Sequence, residues 1–370
     1  MEKENWYEVS DTSNLISPSL LVYPNRVEMN IEEMISLVDD VKRLRPHIKT
    51  HKTAEIIKLQ MQHGIRKFKC ATIAEGELLG ICGADEILLA MPLVGANIIR
   101  FIALMEKFPN SEFSTLVDNT GTLQQIAAVA SSKKIRVSIW MDINVGMNRT
   151  GIAPDENAVV LFRQIEENPN LEAKGFHVYD GHIRHTEFSE QKKAVDTVFE
   201  TVAALKNRVE EQGIKVKATV AGGSPSFPVH AQRGTVDVAP GTTLLWDARY
   251  GELFPYMHFQ LAAVLFTRII SKPAPNMLCF DIGHKSIAPE MDFPRVQFLN
   301  LPESEQISQS EEHLVVEVKD GSLYEVGEGF YAVPMHICPT VAKYETLQIV
   351  ENGNLVDEWK VAARNQKITI

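Results

Sequence analysis

The chain has 370 residues, 45% hydrophobic and 23% charged, which excludes collagen-like, disordered and coiled-coil proteins. Its net charge of −11, from 37 Lys plus Arg against 48 Asp plus Glu, argues against a nucleic-acid or anionic-membrane surface. Four scattered cysteines (Cys70, Cys82, Cys279 and Cys338) include no CxxC pair and read as reduced thiols of a cytoplasmic protein. Met1–Ser10 is polar, with no apolar signal core. The longest apolar stretch, Gln260–Ile270, is broken by Thr267 and Arg268 and is too short to span a bilayer. At about 150 residues per domain, the length allows two or three domains.

In chain order, Ser19–Tyr23 reads as a short strand and Asn25–Leu44 as a helix, with Val27, Ile31, Met34, Ile35 and Val38 at helical spacing. Pro46–Lys49 is a second short strand candidate, and Thr53–His63 a helix ended by Gly64. Lys67–Ala71, Glu86–Leu89, Phe113–Val117, Ile135–Met141, Ala173–His177, Lys217–Val220 and Thr235–Ala239 continue as strands. Helical patterns at Glu75–Cys82, Ile98–Lys107, Thr122–Ser131, Ala158–Glu167 and Glu190–Gln212 separate most of them. This alternation implies parallel βαβ units. Eight or nine strands over about 220 residues suit a closed (β/α)8 TIM-type barrel, an α/β fold, with a doubly wound sheet as the competing architecture.

Beyond residue 250 the helical patterns largely stop. Leu261–Ile270, Met277–Asp281, Val296–Asn300, His313–Val318, Phe330–Val333, Thr346–Val350 and Leu355–Lys360 read as strands, the last two flanking the turn Asn352-Gly353-Asn354. The expected organisation is a barrel over 19–250 and a β-rich domain over 251–370, which residues 1–18 are candidates to complete.

Four clusters carry chemistry. Arg45-Pro46-His47-Ile48-Lys49-Thr50-His51-Lys52 lies where a strand ends and a helix begins, the side of a parallel barrel that bears active sites. A lysine among other cations and apolar walls can act there as a nucleophilic amine; a solvated basic loop is the plain alternative. Gly175-Phe176-His177-Val178-Tyr179-Asp180-Gly181-His182-Ile183-Arg184-His185 follows another strand, and its His and Tyr side chains suit acid/base work or contact with a ring. Ala221-Gly222-Gly223-Ser224-Pro225-Ser226 makes either an anion-binding turn or merely a tight one. It matches neither a Walker pattern nor GxGxxG. In Met335-His336-Ile337-Cys338-Pro339-Thr340, a strand would project His336 and Cys338 to one side, a zinc-preferring pair or a packed thiol beside a bonded histidine. Arg149, in Asp142-Ile143-Asn144-Val145-Gly146-Met147-Asn148-Arg149-Thr150-Gly151, can orient a ring or carboxylate, or serve a structural ion pair.

In this order, from Ser19 to Tyr344, the motifs resemble the D-threonine aldolase and D-serine dehydratase family, related to the barrel of alanine racemase and to fold type III pyridoxal-phosphate enzymes. Arg45–Lys52 is similar to that family's RPHxKTHK signature, which implies that Lys49, not Lys52, forms the Schiff base with pyridoxal 5'-phosphate. The resemblance implies cofactor contacts for Arg149, in a racemase-like DxGxxRxG stretch, for Tyr179, and for Gly222, Gly223 and Ser224 as the phosphate-binding turn. It further implies acid/base chemistry for His185 and a divalent metal, zinc ahead of manganese, at His336 and Cys338. Two departures stand out. The turn continues as Ser224-Pro225-Ser226 where relatives carry more Gly or Thr, and the second metal position is Cys338, common in dehydratases, where well-known aldolases often have Asp.

The implied activity is a lyase acting on small D-3-hydroxy amino acids, retro-aldol cleavage of D-threonine-like substrates to glycine and an aldehyde being favoured. The alternative is a D-serine or D-threonine dehydratase giving a 2-oxo acid. A racemase, which needs no metal, or a cofactor-binding protein without turnover, are further alternatives. By the same resemblance the protein is expected to be a homodimer, with its active site between a barrel and a β-rich domain.

Overall fold

The computed structural model describes residues 5–370, so the first part of the polar Met1–Ser10 stretch lies outside the described residues. In chain order come β1 (Ser19–Val22), α1 (Pro24–Ser36) and α2 (Ala54–Gln62). Strand–helix pairs follow: β2 (Lys67–Cys70) and α3 (Ile73–Cys82), β3 (Glu86–Leu89) and α4 (Ala96–Lys107), β4 (Glu112–Val117) and α5 (Thr120–Lys133). Then come β5 (Val137–Ile143) and α6 (Glu156–Glu167), β6 (Leu171–Val178) and α7 (Phe188–Glu211), β7 (Ala218–Ala221) and α8 (Phe227–Ala231), β8 (Asp237–Val238) and α9 (Ala248–Leu253). The remainder holds β9 (Ala263–Ala274), β10 (Met277–Phe280), β11 (Val296–Phe298), β12 (Glu305–Gln309), β13 (Leu314–Glu317), β14 (Gly329–Pro334), α10 (Ile337–Val341), β15 (Thr346–Glu351) and β16 (Asn354–Lys360).

These elements fall into two compact units. One comprises Glu32–Lys49, Ile57–Gly241 and Asn365–Ile370. The other comprises the chain up to Ile31, Thr50–Ile56 and Thr242–Arg364.

In the first unit, β2 to β8 form a parallel sheet in sequential order. The segment 44–48 closes it. Leu44 bridges Val238 and His47 bridges Lys69, both parallel, and Arg45 N donates to Val238 O while Lys69 N donates to Pro46 O, both at 2.9 Å. Pro46 has no N–H to give, which is why this eighth stave is two bridges and not a regular strand. The result is a (β/α)8 barrel. Its interior is filled by Leu88, Leu116, Trp140, Val220 and Ala239 and by the buried Arg45, paired with Glu86 at 2.7 Å and Asp237 at 3.2 Å. Polar caps set several helix starts. Thr72 accepts from Glu75 N at 3.1 Å and Asn119 from Thr122 N at 2.8 Å, so α3 and α5 begin two residues before the apolar pattern indicates.

The second unit is built on a sheet in the order β12-β13-β10-β9-β1-β15-β16, with β14 pairing both β9 and β11. Ser19–Val22, grouped by sequence with the alternating strands, instead lies antiparallel to β9 and parallel to β15. All four of its residues are buried, and a short apolar run carries no periodicity that says which sheet it will join. Tyr7, Val9 and Leu15 pack with Leu21, Tyr23, Val264, Phe266, Tyr331 and Val350 in this unit's core. Asn352 and Gly353 both have positive φ, 50° and 78°, the conformation of the tight turn joining β15 to β16. Among the described residues, no helix is long and apolar enough to cross a membrane.

Candidate active site

The barrel unit gathers titratable groups at the C-terminal ends of its strands, where barrels of this type do their chemistry. Asp142 near the end of β5 and His177 near the end of β6 are register partners, and His177 Nδ1 lies 2.6 Å from Asp142 Oδ1 with both side chains buried. Thr150 Oγ1 donates to the second carboxylate oxygen at 2.8 Å. Burial opposes ionisation of Asp142, but His177 and Thr150 outweigh it and hold the carboxyl below its ordinary range. Burial, reinforced by Lys69, pushes His177 down despite Asp142, favouring the neutral ring. Its Nε2 is buried without a hydrogen-bond partner.

Tyr179, just past β6, receives two cations on its ring: the Arg149 guanidinium at 4.7 Å and Lys69 Nζ at 5.6 Å. Lys49 is half-buried at the end of the closing segment, where its N–H donates to His47 Nδ1 at 3.2 Å.

The turn after β7 is shaped by what it lacks. Gly222 has φ +76°, and a Cβ there would fall 2.6 Å from Ser226 Oγ and 2.7 Å from His230 Cδ2. A Cβ on Gly223 would fall 2.8 Å from the Tyr179 ring. Both glycines let the turn pack closely on Ser226, His230 and Tyr179 rather than offer donors. Gly222 N is bonded to Val178 O at 2.8 Å and Gly223 N to Ser226 Oγ at 3.3 Å. Ser224 Oγ accepts from Gly241 N at 3.1 Å. Beneath the turn Asp180 accepts from Ser226 Oγ at 2.5 Å and pairs with His230 Nε2 at 2.7 Å. Burial raises the Asp180 carboxyl, but His230 and Ser226 outweigh it and leave the pKa lowered.

His185 sits elsewhere. Its side chain is 47% exposed in the loop before α7, with its ring 3.8 Å from Glu190, and its backbone N–H donates to Gln191 Oε1 at 2.8 Å.

In the β-rich unit, the strand reading of Met335–Thr340 gives way to a helix. β14 ends at Pro334 and α10 starts at Ile337, with His336 as its N-cap residue. Pro339 is tolerated because it lies within the first turn. The pair meets nonetheless. His336 and Cys338 are hydrogen-bonded to each other, and with Glu290 and Asp247 they outweigh burial to raise the imidazole to about 9. Glu290 Oε1 also bonds His336 Nδ1. Cys338 Sγ contacts the hydroxyls of Thr50 at 3.1 Å and Thr242 at 3.4 Å. Buried Asp247, pushed up to about 6 by burial, accepts from Ile337 N at 3.2 Å. No group of three His, Cys, Asp or Glu side chains arranged for a metal occurs among the described residues. Imidazole plus thiolate suits an open site completed by water or substrate, not a closed structural tetrahedron.

Sequence reading nominated Lys49, Arg149, Tyr179, His185, the glycine turn and the His336/Cys338 pair, counted His177 among the acid/base candidates of its cluster, and gave no role to Asp142, Lys69, Asp180 and His230. Asp142 and His177 were visible as polar residues ending apolar strands, but only the register of β5 on β6 shows that they pair.

A barrel with cations around a ring, a side-chain-free turn after a late strand and a separate β-rich unit bearing His and Cys together define a class, enzymes of the racemase-like barrel. Residues 22–248 match the alanine racemase N-terminal domain model, and residues 262–350 a serine dehydratase domain model. The chain belongs to the alanine racemase N-terminal domain family, in the group that holds D-threonine aldolases and D-serine dehydratases, and is an enzyme. It is 26% identical over 355 residues to a D-threonine aldolase of Arthrobacter sp, covering 94% of this chain and 92% of that one. It is also 26% identical over 367 residues to a 3-hydroxy-D-aspartate aldolase of Paracoccus denitrificans, covering 96% and 94%. The solved D-threonine aldolase of Filomicrobium marinum superposes with a TM-score of 0.87 at 23% identity, over 95% of this chain and 96% of that one, a likeness of fold.

Proposed function

We propose that this enzyme is a lyase of D-3-hydroxy amino acids that uses pyridoxal 5'-phosphate and a divalent metal, cleaving D-threonine-like substrates to glycine and an aldehyde. The observation that carries this reading is the glycine turn after β7, packed so closely on Tyr179, Ser226 and His230 that a Cβ at Gly222 or Gly223 would clash, in the unit that also holds Lys49 and Arg149.

Lys49 supplies the amine that holds the cofactor covalently. Tyr179 and Arg149 flank its ring, the Ser224 hydroxyl serves its phosphate, and the Asp180–Ser226–His230 cluster braces the turn. Bound pyridoxal phosphate supplies an electron sink at the substrate's α-carbon. His336 and Cys338 hold the metal, zinc ahead of manganese, and Glu290 orients the imidazole. A bound divalent ion supplies Lewis-acid polarisation of the substrate's 3-hydroxyl. His185, half-exposed beside Glu190, is the residue that exchanges a proton with that hydroxyl.

A second reading, dehydration of D-serine or D-threonine to a 2-oxo acid, is favoured by a cysteine, Cys338, at the second metal position and by the serine dehydratase match over 262–350. In that reaction Lys49 Nζ takes the α-proton. In either case the enzyme works as a cytoplasmic homodimer. Incubation with D-threonine and D-serine separates the readings: glycine plus acetaldehyde supports the aldolase, 2-oxo acid plus ammonia the dehydratase. Turnover of neither, with interconversion of alanine enantiomers, would overturn both in favour of a racemase.

A further inference from the structure

Lys69 has no task in that scheme. It stands on β2 two residues after Lys67, whose ammonium is paired with Asp237 at 3.2 Å. Lys69 is 4% exposed, and no carboxylate among the described residues forms an ion pair or hydrogen bond with its Nζ. The groups around it come from several elements. Its charge is influenced by Lys49 of the closing segment, Asp142 of β5 and Arg149 of the loop beyond. His177 from β6 senses its charge, and the Tyr179 ring and Asp180 follow that strand.

A buried ammonium without a counter-ion costs several kcal/mol. A fold that keeps one therefore either holds it neutral or receives the missing charge from a ligand. A second cation, Arg149, converges on the same aromatic ring, so the negative partner expected there is strong and compact.

We propose that Lys69 and Arg149, both over the Tyr179 ring, form a binding site for the carboxylate of a small organic acid, with Lys69 as its counter-ion. The proposal rests on the barrel end being a small-molecule site, and it adds a specificity-determining residue to it: an amino-acid substrate is held there by a carboxylate.

Burial and the neighbouring Lys49 bring the Lys69 amine down to about 7, against the pull of Asp142 and Asp180. Above that pH the side chain is mostly neutral. A carboxylate arriving at Nζ favours the charged form, so ligand binding takes a proton from solution. The site is thus switched on by its own ligand, and the protein need not bury a bare charge in the ligand's absence.

The test is calorimetric titration of the full chain as purified with malonate at pH 8, in two buffers of different ionisation enthalpy. The wild type is expected to bind malonate with net proton uptake. Lys69→Met is expected to weaken binding about tenfold or more and to abolish the uptake. Lys69→Arg, permanently charged, is expected to keep the affinity within about threefold while the uptake disappears. Malonate binding by Lys69→Met with wild-type affinity and uptake would overturn the proposal, as would a wild type that binds no malonate at millimolar concentration. Should the methionine variant fail to fold, the arginine variant decides: unchanged proton uptake rejects the role. Borohydride fixation of pyridoxal phosphate at Lys49, measured separately by peptide mass, reports on the cofactor reading, so the two can fail independently.

Discussion

The two units hold their charges in opposite ways. In the barrel unit, the pairs Asp142–His177 and Asp180–His230 have side chains at most 4% exposed, each fixed by short hydrogen bonds. In the β-rich unit, the His336–Glu290 pair is 40% and 46% exposed, and Cys338 beside it contacts the hydroxyls of Thr50 and Thr242. Buried pairs are positioned before any ligand arrives and are costly to break. Exposed donors are cheap to keep and gain definition when a metal adds its own bonds. The barrel unit's pairs are therefore fixed beforehand, whereas on the proposed reading the exposed pair of the β-rich unit would be completed by the metal.

The difference can be sharpened or broken experimentally. Lys49→Ala is expected to lower lyase turnover by about a thousandfold or more and to abolish borohydride-fixed cofactor; retention of both would remove the barrel end as the reacting site. Asp180→Asn breaks a buried pair and is expected to destabilise the protein by about 3 kcal/mol, read from the urea midpoint. A loss under about 0.5 kcal/mol would show that burial there is not the organising feature. His185→Asn is expected to cost about a hundredfold in kcat for aldol cleavage with the cofactor spectrum unchanged; an unaffected kcat assigns the proton transfer elsewhere. Glu290→Gln, the exposed counterpart of the Asp180 change, is expected to weaken metal binding about tenfold to a hundredfold with little loss of stability. If it destabilised as much as Asp180→Asn, the contrast would fail.

A further effect is on acid stability. Burial, aided by Lys52, lowers the His51 ring in the β-rich unit to about 3, and His177 in the barrel unit is lowered too. The unfolded chain binds these protons at about 6.5 and the folded chain does not. Stability is then full above pH 6.5 and falls on acidification, for His51 by about 1.4 kcal/mol per pH unit down to about 3. Urea midpoints between pH 7 and 5 check this, and His51→Gln is expected to flatten the slope.

Much of this was legible beforehand. The strand–helix alternation from Lys67 to Val238, the hairpin turn at Asn352-Gly353 and the clusters around Lys49, Gly222–Gly223 and His336/Cys338 all follow from local pattern and motif spacing. Other features were not. Glu305–Gln309, a polar exposed strand, has no apolar alternation to announce it. The pair at His336 and Cys338 was expected from strand geometry but is formed at a helix start. Lys69, read simply as part of a strand, acquires its environment from Lys49, Asp142, Arg149 and Asp180, residues between 20 and 111 positions away in sequence.

By itself the sequence determined the class of fold, the acidic charge of the protein, and which residue types were available for chemistry, because periodicity and motifs are local properties of the chain. Only the tertiary structure decided which sheet Ser19–Val22 joins, how 44–48 closes the barrel around Pro46, and which charges are buried together. Those depend on hydrogen-bond register and on burial between distant segments. Neither is encoded within any single stretch, so neither can be read from one.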